Sequence, residues 1–146
     1  MSTKISFKKV DRFDAIRAEK GVPHNMTMNN GEYLGTITTS LFDQNTKITR
    51  LALERFQRDH ANDPDAKGKH GGIYAFVMVC VHDWTGVEDA DGNEVPFSKD
   101  AAFQYLTHNI EEDAWLSEEL IKRSSNDAYY QKVGDPRASK KAAAGN

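Results

Sequence analysis

The chain has 146 residues, 38% hydrophobic and 10% aromatic, with a formal net charge of −3 and a single cysteine. That suits one domain with a modest core, and the acidic balance argues against a nucleic-acid binder, which wants a basic face. The longest apolar run, residues 73–81, is about half of the ~20 residues a spanning helix needs, so no membrane segment is read.

Residues 1–42 read as strands and turns. Ile5 and Phe7 alternate with polar neighbours, as a half-buried strand would. Gly21-Val22-Pro23 breaks the chain. Asn29-Asn30-Gly31 is a tight-turn signal, because Asn and Gly tolerate positive φ. The β-formers from Tyr33 to Thr39 follow, so residues 26–28 are expected to pair with residues 34–37 in a hairpin. Asn45 or Thr46 can cap a helix. Ile48, Leu51, Ala52 and Phe56 recur at helical spacing, with charged residues between them, up to about His60. Residues 62–72 are breakers and polar residues and read as a loop.

Residues 73–81 are apolar throughout, and periodicity does not separate a buried helix from a buried strand there. Val77, Val79 and Val81 lean towards strand; the resemblance given below favours helix. Ser98 is a good N-cap, and Phe97 with Ala102 forms a hydrophobic staple. Ala102, Phe103 and Leu106 make the stripe of the short helix that follows. Asn109 is expected to open another helix, with Glu112 in capping-box position and Lys122-Arg123 closing it. Its apolar residues include Ile110, Ala114, Leu116, Leu120 and Ile121. Residues 126–132 form a further helical segment that folds Tyr129 and Tyr130 onto the core. Residues 134–146 carry no apolar side chain larger than alanine and read as a disordered basic tail. The expected fold is α+β: a single domain over residues 1–133, its N-terminal third a β-rich hairpin, followed by about four to five helices.

Charge is unevenly spread. Residues 1–20 carry six bases, Lys4, Lys8, Lys9, Arg12, Arg17 and Lys20, against the acids Asp11, Asp14 and Glu19. Residues 83–119 hold many acids and one base, Lys99. Such a stretch is most simply a solvated face; its functional reading is a docking face for a basic partner.

Few residues carry chemistry. Asp89, Asp91 and Asn93 alternate as in a calcium loop, but Glu94 stands where such a loop needs glycine, and Asp100 where it needs glutamate. Cys80 and His82, with His60 and His70 upstream, fall short of a structural zinc set, which commonly has two close ligand pairs. A nucleophilic set of Cys80 with His82 or His108 needs an exposed thiol, and Cys80 lies in the apolar run, where burial makes a thiol inert. Neither a phosphate loop nor a nucleophile elbow is present. No enzyme, metal or cofactor is read from these residues. The lone Cys80 also fits a reducing compartment, and the N-terminus lacks the apolar stretch of a secretory signal. Trp84 and Trp115 are of the type that anchors interfaces, although Trp84, at the end of the apolar run, reads first as core.

The order of features is specific. Leu41-Phe42-Asp43-Gln44-Asn45-Thr46-Lys47-Ile48 leads into a helix. A long apolar segment ends at Asp83-Trp84-Thr85-Gly86-Val87. Asp91-Gly92 then turns the chain, and Val95-Pro96-Phe97-Ser98 opens paired helices. Over roughly residues 13–130, and best over residues 84–98, this resembles the tail assembly chaperones of long-tailed bacteriophages. The resemblance implies a non-catalytic protein of the host bacterial cytoplasm, absent from the mature virion. Such a protein binds and solubilises the tape-measure protein, helps recruit tail-tube subunits and self-associates. It implies a partner-binding set of Trp84, Phe97, Trp115, Leu116 and Leu120. The family is mostly helical, so the β-rich start is a departure. Many relatives append a second domain by frameshifting, and Lys140-Lys141 is where a slippery codon run would lie. A virion structural protein of the tail, whether tube, terminator or connector subunit, is the alternative that the β-rich start suits.

Overall fold

The computed structural model describes residues 3–132. The tail expected over residues 134–146, with Lys140-Lys141, lies outside the described residues. The fold is α+β, as expected. The hairpin forms where the turn signal placed it. Strand β1 (Val22–Thr27) pairs antiparallel with β2 (Tyr33–Thr39), with Met26 opposite Gly35 and Val22 opposite Thr39. Gly31 N–H donates to Met28 O at 2.9 Å inside the turn. In β1, Val22, His24 and Met26 face inward while Pro23, Asn25 and Thr27 face water, the alternation of a sheet with one covered face.

Four expectations need correction. Residues 3–10 form neither strand nor helix, and Ile5 and Phe7 are 67% and 81% exposed. Their period-two signal is only two residues long and sits among lysines, with no strand to pair against. The first element is instead helix α1 (Ala15–Lys20), capped by Asp14, whose carboxylate accepts from Ile16 N–H at 2.9 Å. Within the expected loop, Asp63 caps a short helix, α3 (Pro64–Lys67), that starts on a proline, where the missing N–H costs nothing. The last long helix, α6 (Trp115–Ser124), begins five residues later than expected. Turns occupy residues 108–112, Asn109 O accepts from Asp113 N–H at 2.9 Å, and Asp113 Oδ1 takes Trp115 N–H at 3.0 Å, so the capping box at Asn109 does not form.

Helix α2 (Lys47–Asp59) starts at the expected cap, Thr46. Its fully buried residue is Thr49, whose hydroxyl donates to Leu41 O at 2.9 Å, while Leu51 is 42% exposed. The apolar run resolves into both alternatives: helix α4 (Gly71–Cys80) passes into strand β3 (Val81–Thr85) with no linking residue. β3 is the third strand of the sheet, antiparallel to β2, with Trp84 opposite Ile37. Helix α5 (Lys99–Thr107) follows, capped by Ser98 Oγ accepting from Ala101 N–H at 2.9 Å. A 3₁₀ turn, Asp127–Tyr130, closes the described chain.

The main core sits between the covered sheet face and helices α4, α5 and α6. It holds Met26, Ile37, Phe76, Val77, Cys80, Val81, Trp84, Val87, Ala102, Leu106 and Leu120. A smaller core gathers Ala18, Val22, Leu41 and Tyr130, with Phe13, Ile48 and Tyr129 against it. One side chain ties the main core together. The Lys99 ammonium, half-buried, donates to Val77 O at 2.9 Å, to Met78 O at 3.1 Å and to Val81 O. It thus caps the C-terminal carbonyls of α4 with a positive charge, where the helix dipole favours one.

In the smaller core the Tyr130 hydroxyl lies 3.0 Å from Thr39 O, 3.2 Å from Ser40 O and 3.2 Å from His24 Nε2. A single phenolic proton goes to a β2 carbonyl, so the hydroxyl accepts from His24 Nε2–H. This assigns the tautomer and leaves His24 Nδ1 buried without a partner among the described residues. Burial first, and then the nearby Arg123 charge, push the His24 pKa down to about 4. Folding therefore favours neutral His24. Its contribution is fully present above the ordinary value of 6.5 and is lost as pH falls through 6.5 towards about 4. Wild-type stability from urea unfolding should fall by about 2 kcal/mol between pH 7.5 and pH 5 through this group. His24→Met should flatten that slope; an unchanged slope in the variant would mean that His24 is not its source.

Candidate functional site: an acidic-rimmed groove beside Trp84

β3 leads into the corner that joins it to α5. Gly86 and Gly35 make this corner possible. Both have positive φ, +75° and +120°. A Cβ on Gly86 would stand 2.7 Å from the Tyr33 ring, and one on Gly35 would stand 2.6 Å from Val87 Cγ2, so strand and corner touch only because both side chains are missing. Glu88 and Glu94 then face each other across a short antiparallel bridge, with Val95 N–H donating to Val87 O at 2.8 Å and Asp89 N–H donating to Asn93 O at 2.8 Å. Asp89 Oδ1 accepts from the N–H groups of Asp91 and Asn93 at 2.9 and 3.0 Å. The aspartate pattern that resembles a calcium loop is thus a turn built on a side-chain acceptor.

Trp84 is 6% exposed and belongs to the core. Its Nε1–H donates to Val95 O at 2.8 Å. Its ring meets Phe97 and Tyr105 edge-on, at centroid distances of 5.4 and 5.7 Å. Tyr105 in turn donates its hydroxyl to Leu34 O at 2.6 Å and stacks on His108 at 5.8 Å. Burial raises the Tyr105 pKa, which keeps that donor protonated.

Outside this aromatic wall runs a groove. One section, about 530 Å³, is lined by Trp84, Val87, Val95, Ala101 and Tyr105, with Glu88, Asp89, Gln104 and His108 at its rim. A second section, about 260 Å³, shares Glu88, Tyr105 and His108 with the first, and continues over Leu34, Met28, Leu106 and Ile110 to Trp115 and Leu116, past Asp113. Beyond Trp115 a polar hollow carries Asn25, Glu119 and Arg123. Among the described residues, no lysine or arginine lines either of the first two sections.

The residues singled out from sequence divide three ways. Trp84, Trp115 and Leu116 line this one face. Phe97 supports Trp84 from behind. Leu120 is fully buried in the main core, so in this fold it has no surface to offer a partner. Sequence reasoning missed Tyr105 and Ala101, weighed His108 only as a catalytic base and named Val87 only within the resemblance. Tyr105 and Ala101 are both on α5, and a four-residue spacing on that helix is the signal that could have found them.

Elsewhere the reactive side chains do structural work. Burial pushes the Cys80 thiol up to about 11. His82 Nε2 lies 3.1 Å from Ser40 Oγ, whereas His108 stacks on Tyr105 in the groove. Asp63 Oδ2 takes the Tyr74 hydroxyl at 2.6 Å and lies 3.4 Å from His60 Nδ1. Among the described residues, no three His, Cys, Asp or Glu side chains converge as a metal set would.

A family model described as YdaY prophage protein matches residues 37–141, well over half of the chain. The matched span takes in β3, the corner, α5 and α6, and so most of the groove. The chain is a protein of phage origin. It belongs to the YdaY prophage protein family. No curated protein and no solved structure matches it.

Because Trp84 fills the core and also forms the groove wall, Trp84→Ala should cost about 3–5 kcal/mol in urea unfolding. Exposed Gln104→Ala should stay within about 0.5 kcal/mol of wild type. Equal, small effects from both would show that Trp84 is not the anchor of the corner.

Proposed function

We propose that this prophage-family protein is a non-catalytic tail assembly chaperone. It binds and solubilises the tape-measure protein in the host bacterial cytoplasm, helps recruit tail-tube subunits and is absent from the mature virion. The observation that carries the reading is the groove beside Trp84: an apolar floor, an acidic rim of Glu88, Asp89 and Asp113, and a rigid aromatic wall. An amphipathic helix with basic flanks fits such a surface through apolar anchors at helical spacing. Its rim charges add steering and selectivity more than affinity. Modest affinity per copy suffices where many copies line one long partner, because multivalency multiplies it. The resemblance over residues 84–98 supports the same reading, and those residues build the corner on which the groove rests.

Co-expression with the tape-measure protein of the same prophage tests this. The partner should become soluble and co-purify. Ala101→Glu, which puts a charge on the groove floor, should cut capture at least tenfold while leaving the melting temperature near wild type. A partner that stays insoluble, with nothing co-purified, would overturn the proposal. Mass spectrometry of purified particles separates it from a tube, terminator or connector subunit, which would be abundant there.

A further inference from the structure

Residues 3–10, Thr-Lys-Ile-Ser-Phe-Lys-Lys-Val, leave the body of the protein as an arm. They form no helix or strand, and Ile5, Phe7 and Val10 are 67%, 81% and 82% exposed. Three large apolar side chains on so short a stretch are a contiguous sticky surface rather than scattered surface residues. The arm also carries Lys4, Lys8 and Lys9 and no acid. Its composition, apolar with basic residues interleaved, complements the groove, which is apolar with Glu88, Asp89 and Asp113 at its edge.

We propose that the arm of one copy seats in the Trp84–Tyr105 groove of a second copy. The same copy's groove does not take the whole arm, and in the structure Ile5, Phe7 and Val10 all stand exposed, clear of it. The arm is rooted at Arg12, which pairs with Asp43 and Asp127 at 3.0 Å each, and at Asp14, whose N–H donates to Tyr130 O at 2.8 Å. Tyr130 holds the Thr39 end of β2, while the groove opens at Leu34 near the other end. The strand alone separates Leu34 from Thr39 by about 17 Å at about 3.3 Å per residue. Val10 is two residues from Arg12 and lies within about 7 Å of that root at full extension. Val10 therefore does not enter its own groove, so the three apolar side chains seat together only in the groove of a second copy, which the charge pattern also suits.

Root and groove lie on different parts of the surface, so the contact is head-to-tail. Such contacts propagate into open chains or close into rings, of which a two-fold dimer with reciprocally exchanged arms is the smallest. The contact rests on the groove geometry and not on the identity of any other partner.

A complementation experiment on the full chain tests this, with sedimentation velocity as readout and no other protein present. Wild type should associate in a concentration-dependent way below about 100 µM. A triple variant, Ile5→Ser with Phe7→Ser and Val10→Ser, keeps its groove and loses its arm. Ala101→Glu keeps its arm and loses its groove. Each alone should be monomeric, with self-association weakened at least tenfold and circular dichroism unchanged. Mixed, they should form a one-to-one heterodimer and nothing larger, because each supplies what the other lacks. A monomeric wild type, a variant that associates like wild type, or a mixture that fails to pair would each overturn the inference. The tape-measure reading is untouched by any of these results, since its readout is capture of a different protein.

Discussion

The junction where helix α4 becomes strand β3 without a linking residue is the constraint on which the rest depends. A helix that ends inside a core leaves carbonyls that water does not reach, and each orphan costs free energy. Here a lysine from the start of the next helix supplies the donors. Lys99 gives its ammonium to Val77, Met78 and Val81, and so binds α4, β3 and α5 at one point. Burial lowers the Lys99 pKa from its ordinary value, the expected consequence of taking an amine partly out of water. With α4 and α5 joined in this way, the connection from β3 to α5 has to fold into a tight corner, and Trp84 fills the space beneath it.

That corner turns stability into a surface. The Trp84 indole is fixed by one hydrogen bond to Val95 O and two edge-on aromatic contacts, so the groove wall does not rearrange without loss of core packing. Binding sites held on packed elements are more exact than sites held on loops. Glu88 and Asp89 both face the groove, and Asp89 also holds the turn by accepting two N–H groups. Far from the groove, the Tyr130 hydroxyl fastens the end of the described chain to β2 through Thr39 and Ser40. The arm of residues 3–10 leaves from that second anchor.

Much of this was legible in the sequence, for identifiable reasons. The hairpin was readable because Asn29-Asn30-Gly31 is a strong local turn signal between β-formers. Helices α2 and α5 were readable from the caps Thr46 and Ser98, whose side chains bond where expected. The run at residues 73–81 was ambiguous because it contains both a helix and the start of a strand, and all-round apolar character erases the period. Strand β3, the third strand of the sheet, was invisible because its buried residues, Val81 and Trp84, are three apart with His82 and Asp83 exposed between them, so a register shift opposite Thr38 and Thr39 breaks the period of two. The late start of α6 depended on competition between Asn109 and Asp113 as turn acceptors, which spacing does not decide. At the site, Trp84, Trp115 and Leu116 stood out by type, whereas Tyr105 and Ala101 gain their role only when α5 is placed against the corner. Leu120 went the other way, because the face of α6 that packs inward is set by tertiary contacts.

The central claim is that the Lys99-pinned corner presents a preformed groove for a helical partner. Amide hydrogen exchange, measured on the chain alone and with the tape-measure protein it is proposed to bind, tests this. Binding should add protection at residues 87–95 and 101–108 and at Trp115 and Leu116, and leave α2 and α3 unchanged. Protection confined to α2 and α3, or none at the corner, would contradict it.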